Sequence, residues 1–195
     1  MCTFEQNDLD RLKEEVEKLV GRKIKSPKDF DFLSRQIAGL VEESVSVSTL
    51  KRMWGYVKTT SKPSQFNLDL LSRMVGYPDW EAFCRKDDEP DSSHFFVKSK
   101  LIADALDRGE QVKLTWYPGR VVTIEYQGNG SFRVVESVNS KLGKGDTFIC
   151  HQFVADEPLY LSNLQHADMP LCNYVCGQSG GVKWHTGGVS SLLGR

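Results

Sequence analysis

No stretch of this chain approaches the roughly 20 consecutive apolar residues that a bilayer-spanning helix requires. Its first ten residues, MCTFEQNDLD, carry acids and no lysine or arginine, whereas a secretory signal begins basic and turns apolar. Cysteine is sparse and odd in number, five in 195 residues at scattered spacing, which argues against a secreted disulfide framework. Neither sign of charge dominates: 25 Lys and Arg stand against 26 Asp and Glu, so the overall balance gives no sign of a polyanionic partner. With 26% charged and 39% hydrophobic residues, disorder, collagen-like repeats and coiled coil are poor fits. Internal repeats and low-complexity tracts are lacking too. The expectation is a cytoplasmic protein with no membrane partner, organised as one large domain or two small ones.

Charge by segment says more than the total. Residues 1–86 hold 15 basic and 13 acidic side chains, and residues 97–195 hold 10 and 9. Between them DDEPDSSHFF holds four acids and neither Lys nor Arg. That acidic stretch with Pro and Ser has nothing to bury and reads as a linker. Apolar spacing is helical before it and mostly alternating after it. The expected class is therefore α+β: a helical domain at 1–86, a linker at 87–95, and a small β-rich domain at 96–195.

The N-terminal part reads as five helices. Leu9, Leu12, Val16 and Leu19 form one stripe, with Asn7 or Asp8 able to cap it and Gly21 to close it. Ser26-Pro27-Lys28-Asp29 is a second start, with Ser as N-cap, Pro at the first helical position and a carboxylate at the third. Phe30, Leu33, Ile37 and Leu40 then mark a buried face. A third helix begins near Ser46 and ends around Gly55. A fourth runs over about 64–75, with Phe66, Leu70 and Met74 on one face and Gly76 as its stop. Asp79 caps a short fifth.

The C-terminal part is expected to open with one more helix, from Phe96 through Leu101 and Ala105 to a stop at Gly109. Alternating runs follow at 112–116, 121–126, 132–136 and 147–153, with further candidates at 159–161 and 174–176. Gly-rich turns separate them, and a hairpin between 174–176 and 182–184 accounts for Gly177-Gln178-Ser179-Gly180-Gly181. Such short strands suggest a small antiparallel barrel or sandwich. Trp116, Tyr117, Tyr126, Phe132, Phe148, Phe153 and Tyr160 could offer stacking platforms, but alternation puts most of them in a core.

The third helix carries the functional signal. Read as SVSTLKRMW from residue 46, it buries Val47, Leu50 and Trp54 and turns Ser48, Lys51, Arg52 and Gly55 outward. Residues 44–68 contain no acid at all, yet hold Lys51, Arg52, Lys58 and Lys62. Duplex DNA wants such a surface: cations and hydroxyls for phosphate oxygens, with no carboxylate to repel them.

VSVSTLKRMWG, a loop with Lys62-Pro63-Ser64, and then FNLDLLSRMVGYPDWEAF resemble the lambda-repressor-like (XRE-type) helix-turn-helix family over roughly 26–85. Residues 26–45 are several residues longer than that family's compact version, with Ala38-Gly39 a candidate for its small pair before the turn. The resemblance implies that Ser46, Ser48, Thr49, Lys51 and Arg52 occupy a DNA-facing recognition helix. It places Lys58, Thr60 and Lys62 near phosphates.

Other chemistry is weaker. Cys172 and Cys176 have a permitted zinc spacing but no second ligand pair. Ser137, Ser140 and Lys141 lie in a polar turn where the lysine stays protonated, unlike a Ser-Lys dyad. The glycine run at 177–181 precedes no helix, which phosphate-cradling loops need. Arg120 and Arg133 are the first candidates for a ligand or anion contact in the β domain. The expectation is a non-enzymatic transcriptional regulator that binds double-stranded DNA, without cofactor or metal. Its β domain would sense a small-molecule effector, contact a protein or form a homodimer. The alternative is an interaction module in which both halves bind proteins.

Overall fold

The computed structural model describes residues 5–85 and 99–187, so the linker expected at 87–95 lies outside the described residues. The chain divides into two compact units, 1–99 and 100–195. The architecture is α+β, with five helices followed by antiparallel sheets. Among the described residues no helix is long and apolar enough to cross a membrane.

The helical unit comprises α1 (Gln6–Val20), α2 (Pro27–Val41), α3 (Val47–Met53), α4 (Gln65–Met74) and α5 (Trp80–Cys84). Leu9, Leu12, Val16 and Leu19 are buried along α1, which ends at Gly21 in the left-handed region (φ 64°). Its start differs from expectation. Glu5 is the N-cap without a side-chain bond, and Asn7 and Asp8 lie inside the first turn, where Asp8 pairs with Arg11 at 3.3 Å and faces the positive helix end. α2 begins as its sequence dictates: Ser26 accepts from the Asp29 N–H while the Asp29 carboxylate takes the Ser26 N–H at 2.8 Å. Such a box is worth about 1 kcal/mol.

Phe30, Leu33 and Ile37 are buried, while Leu40 stays half-buried. Phe32, absent from the expected stripe, is buried beneath the Arg22 guanidinium, 3.9 Å from its ring centroid. On α4 the buried run begins at Leu68, so Phe66 in the first turn is 55% exposed rather than part of the core face. Asp79 caps α5 through the Ala82 N–H at 2.7 Å, and Trp80 and Phe83 bury their rings in stacked contact.

The second unit contains β1 (Lys100–Ile102), β2 (Gln111–Trp116), β3 (Arg120–Gly128), β4 (Ser131–Val138), β5 (Thr147–Ile149), β6 (Gln152–Val154), β7 (Leu159–Gln165), β8 (Cys172–Cys176) and β9 (Lys183–Gly187). The expected opening helix is not formed over the described residues. Leu101 pairs across to Phe153 in a β1–β6 ribbon, and residues Ala103–Ala105 make a single 3-10 turn. The Asp104 carboxylate fixes that turn by accepting from the Tyr126 hydroxyl and the Gly130 N–H. These tertiary partners override the helical spacing.

Seven strands form one antiparallel sheet in the order β8-β7-β5-β4-β3-β2-β9. The run at 147–153 is two strands, not one. Cys150 N–H bonds to Gly130 and the His151 carbonyl takes the Ala103 N–H, so the chain leaves the large sheet at that corner. The hairpin expected between 174–176 and 182–184 is also absent: β8 pairs with β7 and β9 with β2, at opposite edges.

A flat seven-stranded sheet would separate its edges by about 29 Å. The chain from Cys176 to Lys183 reaches about 24 Å at most, so the sheet curls. Register shifts interrupt the β3–β4, β5–β7 and β7–β8 ladders, where bending is easiest. Val182 meets Glu157 in an isolated bridge, but the edge strands do not pair, and the expected barrel does not close. On the inner face Phe132 packs against Tyr126, Phe148 and Phe153, with ring centroids 5.2–5.7 Å apart. Trp116 is buried as well, whereas Tyr117 and Tyr160 are exposed.

Candidate nucleic-acid interface

Ser46 starts α3. Its backbone is extended, and its hydroxyl accepts from the Thr49 N–H at 3.2 Å while lying 2.8 Å from Thr49 Oγ1 and 3.1 Å from Ser48 Oγ. Leu50 and Met53 are the buried anchors of this helix. Val47 and Trp54 were expected in that role but are half-buried. Trp54 sits at the C-cap, and its indole N–H donates to the Glu17 carboxylate at 3.2 Å, which keeps the ring at the surface. At about 100° per residue, burial of Leu50 and Met53 aims the opposite side at Ser48, Lys51 and Arg52. Ser46, Ser48 and Arg52 are exposed, and Thr49 and Lys51 half-exposed.

Beyond α3 the chain turns at Gly55 (φ 72°), where the Val57 N–H returns to the Lys51 carbonyl at 3.1 Å. The following loop and the start of α4 enclose a hollow of about 820 Å³ with α1 and α3. Thr49, Arg52, Lys58, Thr60 and Lys62 line it, so five of the eight residues assigned from sequence come together. Ser46, Ser48 and Lys51 stand outside it, on the exposed side of α3 and at its cap.

The sequence reading missed Lys13, Gln6 and Asn67, which also line the hollow. Nothing in the spacing near residue 50 points to an α1 residue; only the fold brings Lys13 there. Lys13 is ion-paired with Asp10 at 2.6 Å. No Asp or Glu is among the lining residues. Among the described residues, Lys51, Arg52 and Lys58 form no ion pair. A cation-lined hollow with hydroxyls and no carboxylate favours phosphate oxygens. Ser64 caps α4 beside it, so the free N–H groups of that helix start add positive potential. Tyr56, Val57 and Phe66 are exposed apolar residues in the same stretch.

In the β unit, Arg133 lies 2.9 Å from the Glu125 carboxylate. A hydrogen bond from Gln127 and this guanidinium hold that carboxyl below its usual range, so Arg133 is already paired within the sheet. Arg120 stands at the start of β3, half-buried, opposite Trp116. Burial pushes the Cys150 thiol up to about 11 and the Cys176 thiol up to about 12, leaving both neutral and poor nucleophiles near pH 7. Among the described residues no three His, Cys, Asp or Glu side chains gather as a metal site.

One polar cluster was not foreseen. Buried Asp146 accepts from the Gly143 N–H at 2.7 Å and lies 2.8 Å from Nδ1 of the part-exposed His166. A carboxylate thus orients an imidazole, as in catalytic dyads. The neighbouring serines serve the turn instead: Ser137 donates to the Leu142 carbonyl, and Ser140 accepts from the Leu142 N–H. Twenty residues separate Asp146 from His166, and no short motif joins them.

No family model, curated protein or solved structure matches this chain.

Proposed function

We propose that this chain is a sequence-specific DNA-binding transcriptional regulator, contacting duplex DNA through α3, the loop after it and the hollow they border. The observation that carries this reading is the hollow itself: Arg52, Lys58 and Lys62 converge with Thr49 and Thr60, and no carboxylate lines it. Exposed Ser48 and half-exposed Lys51 extend the same character along α3. In this reading Arg52 and Ser48 face base edges, while the loop lysines hold phosphates and set the register. The β unit serves as a sensor, dimerisation or partner-binding domain. The reading assigns the chain no catalytic step, cofactor or metal.

The test is affinity for duplex DNA against salt, for the parent and for Lys51→Glu/Arg52→Glu. Lys51, Lys58 and Lys62 on three phosphates give a slope of log K against log salt of about −2.7. The double variant should cut its magnitude by about one and weaken binding more than a hundredfold, since it loses a phosphate contact together with a base contact worth roughly 1–3 kcal/mol and places two anions against the duplex. Stability should move by only about 0.5 kcal/mol, because neither side chain belongs to the core. Lys141→Glu/Lys144→Glu, on an exposed turn of the β unit, changes net charge equally and should leave affinity nearly intact. Equal loss in both variants would mean diffuse charge. Absence of binding by the parent at low salt would favour a protein partner seated on Tyr56, Val57 and Phe66.

A further inference from the structure

We propose that the inner face of the curled sheet holds a binding site for a small organic carboxylate, formed by the Arg120 guanidinium and the indole N–H groups of Trp116 and Trp184. Two cross-strand registers bring these groups together. Trp116 and Arg120 are direct cross-strand partners of β2 and β3, so their side chains share a face. Trp184 stands opposite Leu114, two residues before Trp116 on the same face, so the two indoles are diagonal neighbours. The six residues after Cys176 then return the chain to β9. Tyr174 and Cys176 pair with the buried Leu161 and Leu159, which puts them on the inner face too.

What marks this face is unmet donor capacity. Trp116 and Trp184 are 5% and 6% exposed, and the Nε1 of each is buried without a hydrogen-bond partner. Buried indole N–H groups ordinarily find one. Among the described residues the Arg120 guanidinium also has no ion pair or hydrogen bond. A half-buried fork and two single donors, with no acceptor among them, suit an anion with two oxygens. The indole rings of Trp116 and Trp184 and the phenol of Tyr174 on the same face favour an apolar body behind the charged end. Cys176 does not compete as an anion, because burial keeps its thiol neutral even though the positive charge of Arg120 reaches it.

The test uses the ¹⁵N-labelled full chain and its four indole N–H signals. Trp54 is bonded to Glu17 and lies with Trp80 in the helical unit, so these two signals serve as references. Benzoate, benzamide and inorganic phosphate are titrated separately into the millimolar range. The Trp116 and Trp184 signals, assigned with Trp116→Phe and Trp184→Phe, should move together and saturate with benzoate while the references stay still. If a Phe variant does not fold, through-space assignment in the parent identifies the signals instead. Arg120→Met should weaken benzoate binding at least about tenfold, as loss of a charge-assisted pair does. Stationary indole signals with benzoate would overturn the proposal. So would equal saturation by benzamide, a response to phosphate alone, or unchanged affinity in Arg120→Met.

Discussion

Replacing Gly181 with alanine should break the point where the two ends of the curled sheet approach each other. The residue has φ 70°, and a Cβ there would overlap the Asp156 carbonyl carbon and stand 2.5 Å from the Glu157 nitrogen. Those are backbone atoms, so no side chain can swing away. Left-handed strain on alanine costs about 1–2 kcal/mol. Relieving the overlap also displaces the Asp156 N–H bond to Val182 and the Val182 N–H bond to Glu157, each 3.0 Å long. At about 1 kcal/mol apiece, the total is about 3–4 kcal/mol. Gly180 is the control. It has φ 84° with nothing within 4 Å of its absent Cβ, so Gly180→Ala should cost only the strain. The difference of about 2 kcal/mol appears as a midpoint shift of roughly 1 M urea, followed by near-ultraviolet circular dichroism of the β-unit tryptophans. Coincident midpoints for the two variants would refute the argument that steric contact, rather than torsion, fixes this crossing.

Three further outcomes follow. Asp146→Ala removes the acceptor for the Gly143 N–H and the partner of His166; it should cost about 2–3 kcal/mol in urea unfolding, and His166→Ala distinctly less because the imidazole is part-exposed. Iodoacetamide at pH 8 should label exposed Cys172 about a hundredfold faster than Cys150 or Cys176, whose thiols burial holds neutral; mass spectrometry of timed aliquots checks the order. Lys13→Gln should reduce the salt slope of DNA binding by about one if phosphate enters the hollow, and an unchanged slope would confine the contact to the outer side of α3.

Local chemistry made the helical unit readable. Ser26-Pro27-Lys28-Asp29, Ser46, Ser64 and Asp79 all cap the helices they precede, because a cap is decided within four residues. Burial on α3 was less legible. Trp54 carries an N–H that Glu17 holds at the surface, so Met53 takes the inward place. In the β unit, strands with strict alternation were evident, whereas the corner at 150–151 was written only in a shift of phase. Phe148 and Phe153 are both buried although odd spacing would set them on opposite faces of one strand. Between the edge strands β8 and β9, Gly181 crosses close over the backbone of 156–157, a contact with no trace in the neighbouring sequence. The hollow was half visible: its loop and α3 side lie in one acid-free stretch, while Lys13 comes from α1, almost 40 residues before Arg52.

The pairing of β2 with β9 joins residues seventy positions apart, Leu114 with Trp184. The contacts of β2, β3 and β4 are local hairpins that close early, whereas this ladder must wait for most of the unit to be laid down. Until β9 docks, Trp116 lies on an open edge in contact with water, and its indole is sealed only when the last ladder forms. Because this ladder closes so long a loop, the slowest phase of refolding is expected to be one that quenches or shifts tryptophan emission. A newly made chain would pass through a state with six strands paired and the β2 edge bare, and that edge is the natural point of attachment for a second unfinished copy.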